Sequence, residues 1–332
     1  MNGYERIMRA IAGEKVDHAP VWPFVMSFAA KYAGVPYGKF ASDYREMARA
    51  LIKTAEDFDL DAITVDSDAY REASACGAVL EFPEDNLPIV RKQAITDREH
   101  FDLPYHKIED CERLMDKVYG VDAVKRHFGG DKAVCGWVEA PLQCAGTLYA
   151  MNDYMEDIFE DPDFVTEILE YVTEMDIRFA VMQAQAGADI IGIGDAMASL
   201  VSPTTYRSYF LPYTKKLVEG IRAGSKDVKL KYHICGKSAH LLPFVEEIGF
   251  DIVNIDHPVD LAAAVEATHG KVCIKGNVNP VTLLSGSDDA IRESVRALLD
   301  VHVPRFILSP GCEVGKFTPP EKLHVFVEAA KQ

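Results

Sequence analysis

No stretch of this sequence stays apolar over the roughly 20 residues that a bilayer-crossing helix needs, so a membrane span is not expected. The first residues, MNGYERIMRAIAGEKVDHAP, scatter charges among their apolar positions and lack the continuous apolar core of an export signal. Basic residues are also in short supply. Against 52 Asp and Glu stand 35 Lys and Arg, and the formal charge of −17 opposes close approach to nucleic acid or to an anionic membrane surface. Cysteine is sparse and odd in number, seven in 332 residues at wide spacing, which argues against a disulfide framework and for reduced thiols in a cytoplasmic protein. Cys76, Cys111, Cys135, Cys144 and Cys273 read individually as small buried hydrophobes. Fixed-period repeats, low-complexity tracts and Pro/Gly/Ser-rich linkers are absent as well, so residues 1–332 are expected to form a single domain.

What the chain does contain is a rhythm. Short β-prone runs recur, each followed by a longer amphipathic stretch: APVWPFV from Ala19, AITVDSD from Ala62, AVCGWVEAP from Ala133, ADIIGIGDA from Ala188, VKLKYHICG from Val228, DIVNIDHP from Asp251, KVCIKGNVNP from Lys271 and RFILSPGC from Arg305. Alternating strands and helices imply a parallel sheet, and eight such units favour an α/β fold closed as a (β/α)₈ TIM barrel. Tyr4, Ile7, Met8 and Ile11 fall at helical spacing and predict an amino-terminal helix that covers the barrel base. Asp161-Pro162 and Ser202-Pro203 mark helix starts, the second running to Gly220, and Thr318 with Glu321 has capping-box spacing before a last helix. The unit after the second strand is long, from Arg71 to Asp131 with Pro83, Pro88 and Pro104, and predicts an insertion that forms a lid or a hairpin.

In such barrels chemistry sits at the carboxyl ends of the strands. Those ends here carry Asp66, Asp68, Glu139, Asp195, His233, Cys235, Asp256, His257, Asn277, Asn279 and Cys312. Single polar residues at strand ends are ordinary turn and cap formers. His233 and Cys235 differ because the strand period of two puts both on one face, opposite Leu230 and Tyr232, close enough to share an ion. Cys312 ends the eighth run and would share the barrel mouth with them. Two thiolates and one imidazole select zinc and leave a fourth position for substrate. On spacing alone, a satisfied core histidine and a loop thiol explain the same residues. If zinc is held there, two sulfur ligands make it a weak Lewis acid suited to a fourth ligand that must stay nucleophilic, and the reaction indicated is alkyl transfer to sulfur. A zinc hydrolase of the HEXXH type lacks its motif.

The segments YHICGKSAHLLP from Tyr232, GNVNPVTLL from Gly276 and LSPGCEVGKFTPPEKLHVFVEAA from Leu308 resemble the zinc methyltransferases that demethylate corrinoid proteins. These belong to the uroporphyrinogen decarboxylase superfamily, with which GADIIGIGDAMAS from Gly187 and SPTTYRSYFLPYTKKLV from Ser202 are also shared. The resemblance implies a (β/α)₈ barrel, zinc on His233, Cys235 and Cys312, a thiol such as coenzyme M or homocysteine as fourth ligand, and a methyl-Co(III) corrinoid on a separate corrinoid-binding protein as donor. Glu139, Asp195 and Asp256 are then candidates to take the thiol proton or orient the substrate, with helix capping and ligand support as the other reading. Two rivals remain open: a methyltransferase that loads a corrinoid protein from a small methylated donor, and a tetrapyrrole-binding barrel without turnover. Uroporphyrinogen decarboxylases carry an arginine-rich PxWxMRQAGR segment at the first strand, whereas APVWPFVMSFAAKYAG has no arginine, so that activity is not expected.

Overall fold

The computed structural model describes residues 1–98 and 107–331. Seven parallel strands form one curled sheet in the order β1 (Ala62–Thr64), β4 (Ala133–Glu139), β5 (Ile190–Gly194), β6 (Lys229–Ile234), β7 (Ile252–Ile255), β8 (Cys273–Val278) and β9 (Phe306–Pro310). The remaining two, β2 (Val79–Glu81) and β3 (Ile89–Lys92), pair antiparallel as a hairpin in the long unit after β1. Of the two forms expected there the hairpin is observed, while Pro104 lies outside the described residues.

The first β-prone run does not form the expected strand. Pro20 and Pro23 remove two of its backbone donors, and a segment without those N–H groups cannot sustain a ladder. It makes only isolated bridges, Val21 with Leu308 and Phe24 with Glu313. The segment nonetheless reaches both edges of the sheet. Trp22 N–H donates to the Leu308 carbonyl at 3.0 Å, and Asp61 N–H donates to the Val21 carbonyl at 3.0 Å. Val21 N–H turns to the buried Asp61 carboxylate at 2.7 Å, a side chain standing in for the missing ladder.

The amino-terminal helix, Gly3–Ala12, is capped by Asn2 in a reciprocal box with Glu5 and stops at Gly13 in the left-handed region. Its apolar stripe of Ile7, Ala10 and Ile11 packs on Ala62, Ala133, Ile190, Ile252 and Cys273, residues at the amino ends of the strands. The barrel base is therefore sealed largely by hydrocarbon. Arg6 fastens this plug by pairing with Asp17 and with Asp61, the carboxylate that also holds Val21.

Helix punctuation holds at two of three sites. Asp161 accepts from Phe164 N–H at the start of Pro162–Gln185, and Ser202 accepts from Thr205 N–H. The second helix passes through a π turn, Tyr206–Phe210, before Leu211–Gly224, ending four residues beyond the expected Gly220. Pro212 explains the turn, because it cannot donate the bond that an α-helix requires there. At the third site the capping box does not form: the helix Pro320–Ala329 begins after Pro319, and the Thr318 hydroxyl is buried without a partner. No helix among the described residues is long and apolar enough to cross a membrane.

Removing the plug's central contact should loosen the whole barrel. Ile7→Ala is expected to cost about 2–5 kcal/mol of stability, read as a lowered denaturant midpoint in equilibrium unfolding; an unchanged midpoint would show that the helix only lies against the base.

Candidate metal centre

Inward-facing residues alternate along each strand, and β5 reveals which they are. A Cβ on Gly194 would sit 2.7 Å from the Trp137 ring and 2.8 Å from Glu139 Oε2, so these glycines leave room for Trp137 to lie across the barrel interior. On β6 the inward residues are Lys231 and His233, while Leu230, Tyr232 and Ile234 face the helices. His233 therefore points up the barrel axis toward Cys235, just past the strand end.

His233, Cys235 and Cys312 meet there, with their ligand atoms all within 4.8 Å of one another. Cys235 Sγ lies 3.3 Å from His233 Nε2 and 3.7 Å from Cys312 Sγ. A tetrahedral zinc with Zn–S near 2.3 Å and Zn–N near 2.0 Å demands edges of about 3.8 Å between sulfurs and about 3.5 Å between sulfur and nitrogen. The donor set fits the ion in type and in spacing. The thiols are 3.7 Å from each other, and this contact, against the cost of burial and with help from His233, pulls the Cys312 thiol down to about 4. The same contact and then burial push Cys235 up. His233 Nδ1 is buried without a hydrogen-bond partner.

Asp256 organises the loops that carry these ligands. Its Oδ2 accepts from Gly236 N–H at 2.7 Å, fixing the turn that follows Cys235, where Gly236 takes a φ of 74°. Its Oδ1 accepts from His257 N–H at 2.6 Å and contacts His257 Nδ1 at 3.0 Å. Gly311, next to Cys312, packs so closely on this carboxylate that a Cβ would lie 2.6 Å from Oδ1. Asn277 supports the same corner by donating to the carbonyls of Asp256 and Val259.

The other strand-end residues go elsewhere. Glu139 faces the interior, accepts from Trp137 Nε1–H at 2.9 Å, and has its carboxyl pushed well up by burial and by the nearby Glu72 and Asp66. Asp195 does not join the centre. It lies on the helix side of the sheet, accepts from the Tyr232 hydroxyl at 2.5 Å, and is raised to about 7 by burial. Asp66 pairs with Lys117 at 2.7 Å. Arg113 and Arg71 hold Asp68 low against the desolvation that burial imposes, and Asn279 caps a helix by accepting from Val281 N–H.

Several residues at the centre were not singled out from sequence. Phe24 and Trp137 stack at 5.1 Å and both flank the His233 ring. Glu313, next to Cys312, accepts from Ser27 N–H and Oγ–H at 2.6 Å each, and burial raises it to about 7. Lys231 and Lys275 occupy the layer below. Their period-two spacing before His233 and Asn277 was the available signal.

The family model for uroporphyrinogen decarboxylase (URO-D) matches residues 2–332. The chain belongs to this family. A methylcobamide:CoM methyltransferase of Methanosarcina mazei is 26% identical over 334 residues, covering 98% of this chain and 97% of that one. A uroporphyrinogen decarboxylase of Trichodesmium erythraeum is 28% identical over 349 residues, covering 98% and 95%. Among solved structures, a methyltransferase from Methanosarcina mazei superposes with a TM-score of 0.89 at 23% identity, over 99% of this chain and 98% of that one. A B12-independent methionine synthase from a Shewanella species gives 0.60 at 12% identity, over 86% and 85%. At these identities the superpositions establish the shared fold.

Gly311→Ala tests the positioning of Cys312. The added methyl must push the ligand loop off Asp256, and zinc affinity, measured by competition with a chromophoric chelator, is expected to fall roughly 10–100-fold. Unchanged affinity would contradict the role given to this contact.

Proposed function

We propose that this chain is a zinc-dependent corrinoid methyltransferase. It moves a methyl group from a methyl-Co(III) corrinoid, carried on a corrinoid-binding protein, to a small-molecule thiol such as coenzyme M or homocysteine. The observation that carries the reading is the convergence of two sulfurs and one imidazole nitrogen at 3.7 and 3.3 Å on tetrahedral edges. Full-length similarity to a methylcobamide:CoM methyltransferase supports the methyltransferase branch of the family. Comparable similarity to uroporphyrinogen decarboxylases does not decide between the two by itself. Residues 19–34 have no arginine with which to grip substrate carboxylates, and that favours the methyltransferase. We further propose that residues 1–332 act as one domain in the cytoplasm.

Zinc bound by His233, Cys235 and Cys312 would lower the pKa of a thiol at its fourth position, while two thiolate ligands preserve that sulfur's nucleophilicity. The chain's own residues do the rest. Asp256 holds the turn after Cys235 and the segment before Cys312 in register, acting through the ligands. Glu139 faces the same interior, and burial, which favours its protonated form, leaves it able to donate a hydrogen bond that orients the bound thiol. Asp195 acts from behind the strand, holding Tyr232 and so the backbone of His233, whose carbonyl accepts from Asp195 N–H at 2.9 Å. In the transfer, the thiolate sulfur forms a bond to the methyl carbon as the cobalt–carbon bond breaks, and the electron pair stays on cobalt as Co(I).

The test uses purified, zinc-loaded protein with free methylcobalamin and a panel of thiols under anoxic conditions. Thiol-dependent loss of the methylcobalamin absorbance, abolished in Cys312→Ser, is expected. No thiol-dependent loss with any of them would contradict the acceptor role and leave the loading direction as the better reading.

A further inference from the structure

Two lysines face the barrel interior just below the metal centre, Lys231 on β6 and Lys275 on β8, with 1% and 0% of their surface exposed. Ammonium groups so buried are costly unless something compensates them. Lys231 is compensated by aromatic faces, its Nζ lying 4.4 Å from the Trp22 ring centroid, 4.7 Å from Trp137 and 5.9 Å from Phe24. Lys275 has less. It lies 5.3 Å from the Trp22 ring and donates to two neutral oxygens, Asn254 Oδ1 at 2.8 Å and Ser309 Oγ at 2.7 Å. Among the described residues neither lysine is paired with a carboxylate; Asp66, whose field reaches Lys231, is bonded to Lys117.

Desolvation, and then the charge of Lys231, push Lys275 well down, while the Cys135 and Cys312 thiols are the groups that favour its charged form. Of these two, only Cys312 belongs to the metal centre. Lys275 also bonds the runs that bear it: Asn254 precedes Asp256 by two residues, and Ser309 precedes Cys312 by three. An amine that burial drives toward its neutral form therefore sits beneath a site built from sulfur, and thiolate charge at that site is what favours its ammonium form.

We propose that Lys275 is a positioning residue that supplies the counter-charge for the thiolate-rich centre at His233, Cys235 and Cys312, favouring the anionic form of the acceptor thiol. The inference rests on the metal reading given under Proposed function. With a divalent cation, two cysteine thiolates, a neutral imidazole and an acceptor thiolate, the centre carries one net negative charge. Asp256 borders the same mouth, and Glu139 and Glu313, which burial already pushes toward their neutral forms, show that the mouth resists negative charge that no cation offsets. An ammonium on Lys275, held by Ser309 three residues before Cys312 and coupled to that thiol, offsets it in a medium where charges interact far more strongly than in water.

The experiment loads the full chain with Co(II) and titrates it with 2-mercaptoethanesulfonate at a series of pH values, following the thiolate-to-cobalt charge-transfer band. Lys275→Met is expected to move the pH midpoint of that band up by about one unit, equivalent to roughly tenfold weaker thiol uptake at a fixed pH below both midpoints. Lys275→Gln keeps a hydrogen-bond donor and should show the same shift, whereas Lys275→Arg keeps the charge and should retain the wild-type midpoint. Should the Met variant fail to fold, the Gln and Arg pair decides. An unshifted midpoint in Lys275→Gln overturns the proposal, because it leaves hydrogen bonding or packing as the lysine's only role. A wild type that takes up cobalt and thiol normally beside unshifted variants overturns this role alone; a wild type that binds no cobalt overturns the metal reading together with it.

Discussion

Asp256 stands between the two chain segments that carry the sulfur ligands. One of its oxygens holds the Gly236 amide just past Cys235, and the other accepts from His257 N–H and lies where a Cβ on Gly311, just before Cys312, would be 2.6 Å away. The two thiols follow β6 and β9, far apart in the chain, and lie 3.7 Å from each other beside a contact that tolerates no side chain at Gly311. A carboxylate in that position accepts from backbone donors and so fixes main chain, the part of a ligand loop that sets where a short cysteine side chain can reach.

Around that contact the barrel is graded in polarity along its axis. The base is largely hydrocarbon, closed by Ile7, Ala10 and Ile11 of the amino-terminal helix. The middle carries two lysines, one in an aromatic cage and one on neutral oxygens. The top carries soft donors and carboxyls. The ordering suits a site that assembles negative charge: the lysines lie where water would not screen an ammonium, and the thiols lie where a ligand can reach them. Trp137 and Phe24 connect the layers, since the same rings flank His233 above and Lys231 below.

Much of this was legible in the sequence, because it is encoded by local period. Seven of the eight β-prone runs are strands, and the two-residue spacing of His233 and Cys235 places them together as expected. The run at Ala19 was misread because its apolar content outweighed Pro20 and Pro23, and proline's missing donors decide ladder formation more than hydrophobicity does. Asp195 illustrates a different limit. It ends β5 as Glu139 ends β4, but it follows the inward-facing Gly194, so the same period of two turns it toward Tyr232 and the helices. Counting the period from Gly192 would have found this; ranking residues by polarity at strand ends did not. The bracing by Asp256 was not legible, because it depends on the Gly236 amide and on Gly311, which only the curl of the sheet brings to the end of β7. Thr318 likewise had the spacing for a cap, but the turn bonded from Thr318 N–H to the Gly315 carbonyl directs the chain so that Pro319 occupies the cap position.

The central claim is that an acceptor thiol joins His233, Cys235 and Cys312 on one zinc ion. Zinc K-edge X-ray absorption of the metal-loaded protein, recorded without and with 2-mercaptoethanesulfonate, tests it most directly. The account predicts two sulfur scatterers near 2.3 Å in the first spectrum and three in the second. A sulfur count that does not rise on adding thiol, or a zinc environment of nitrogen and oxygen alone, would contradict it.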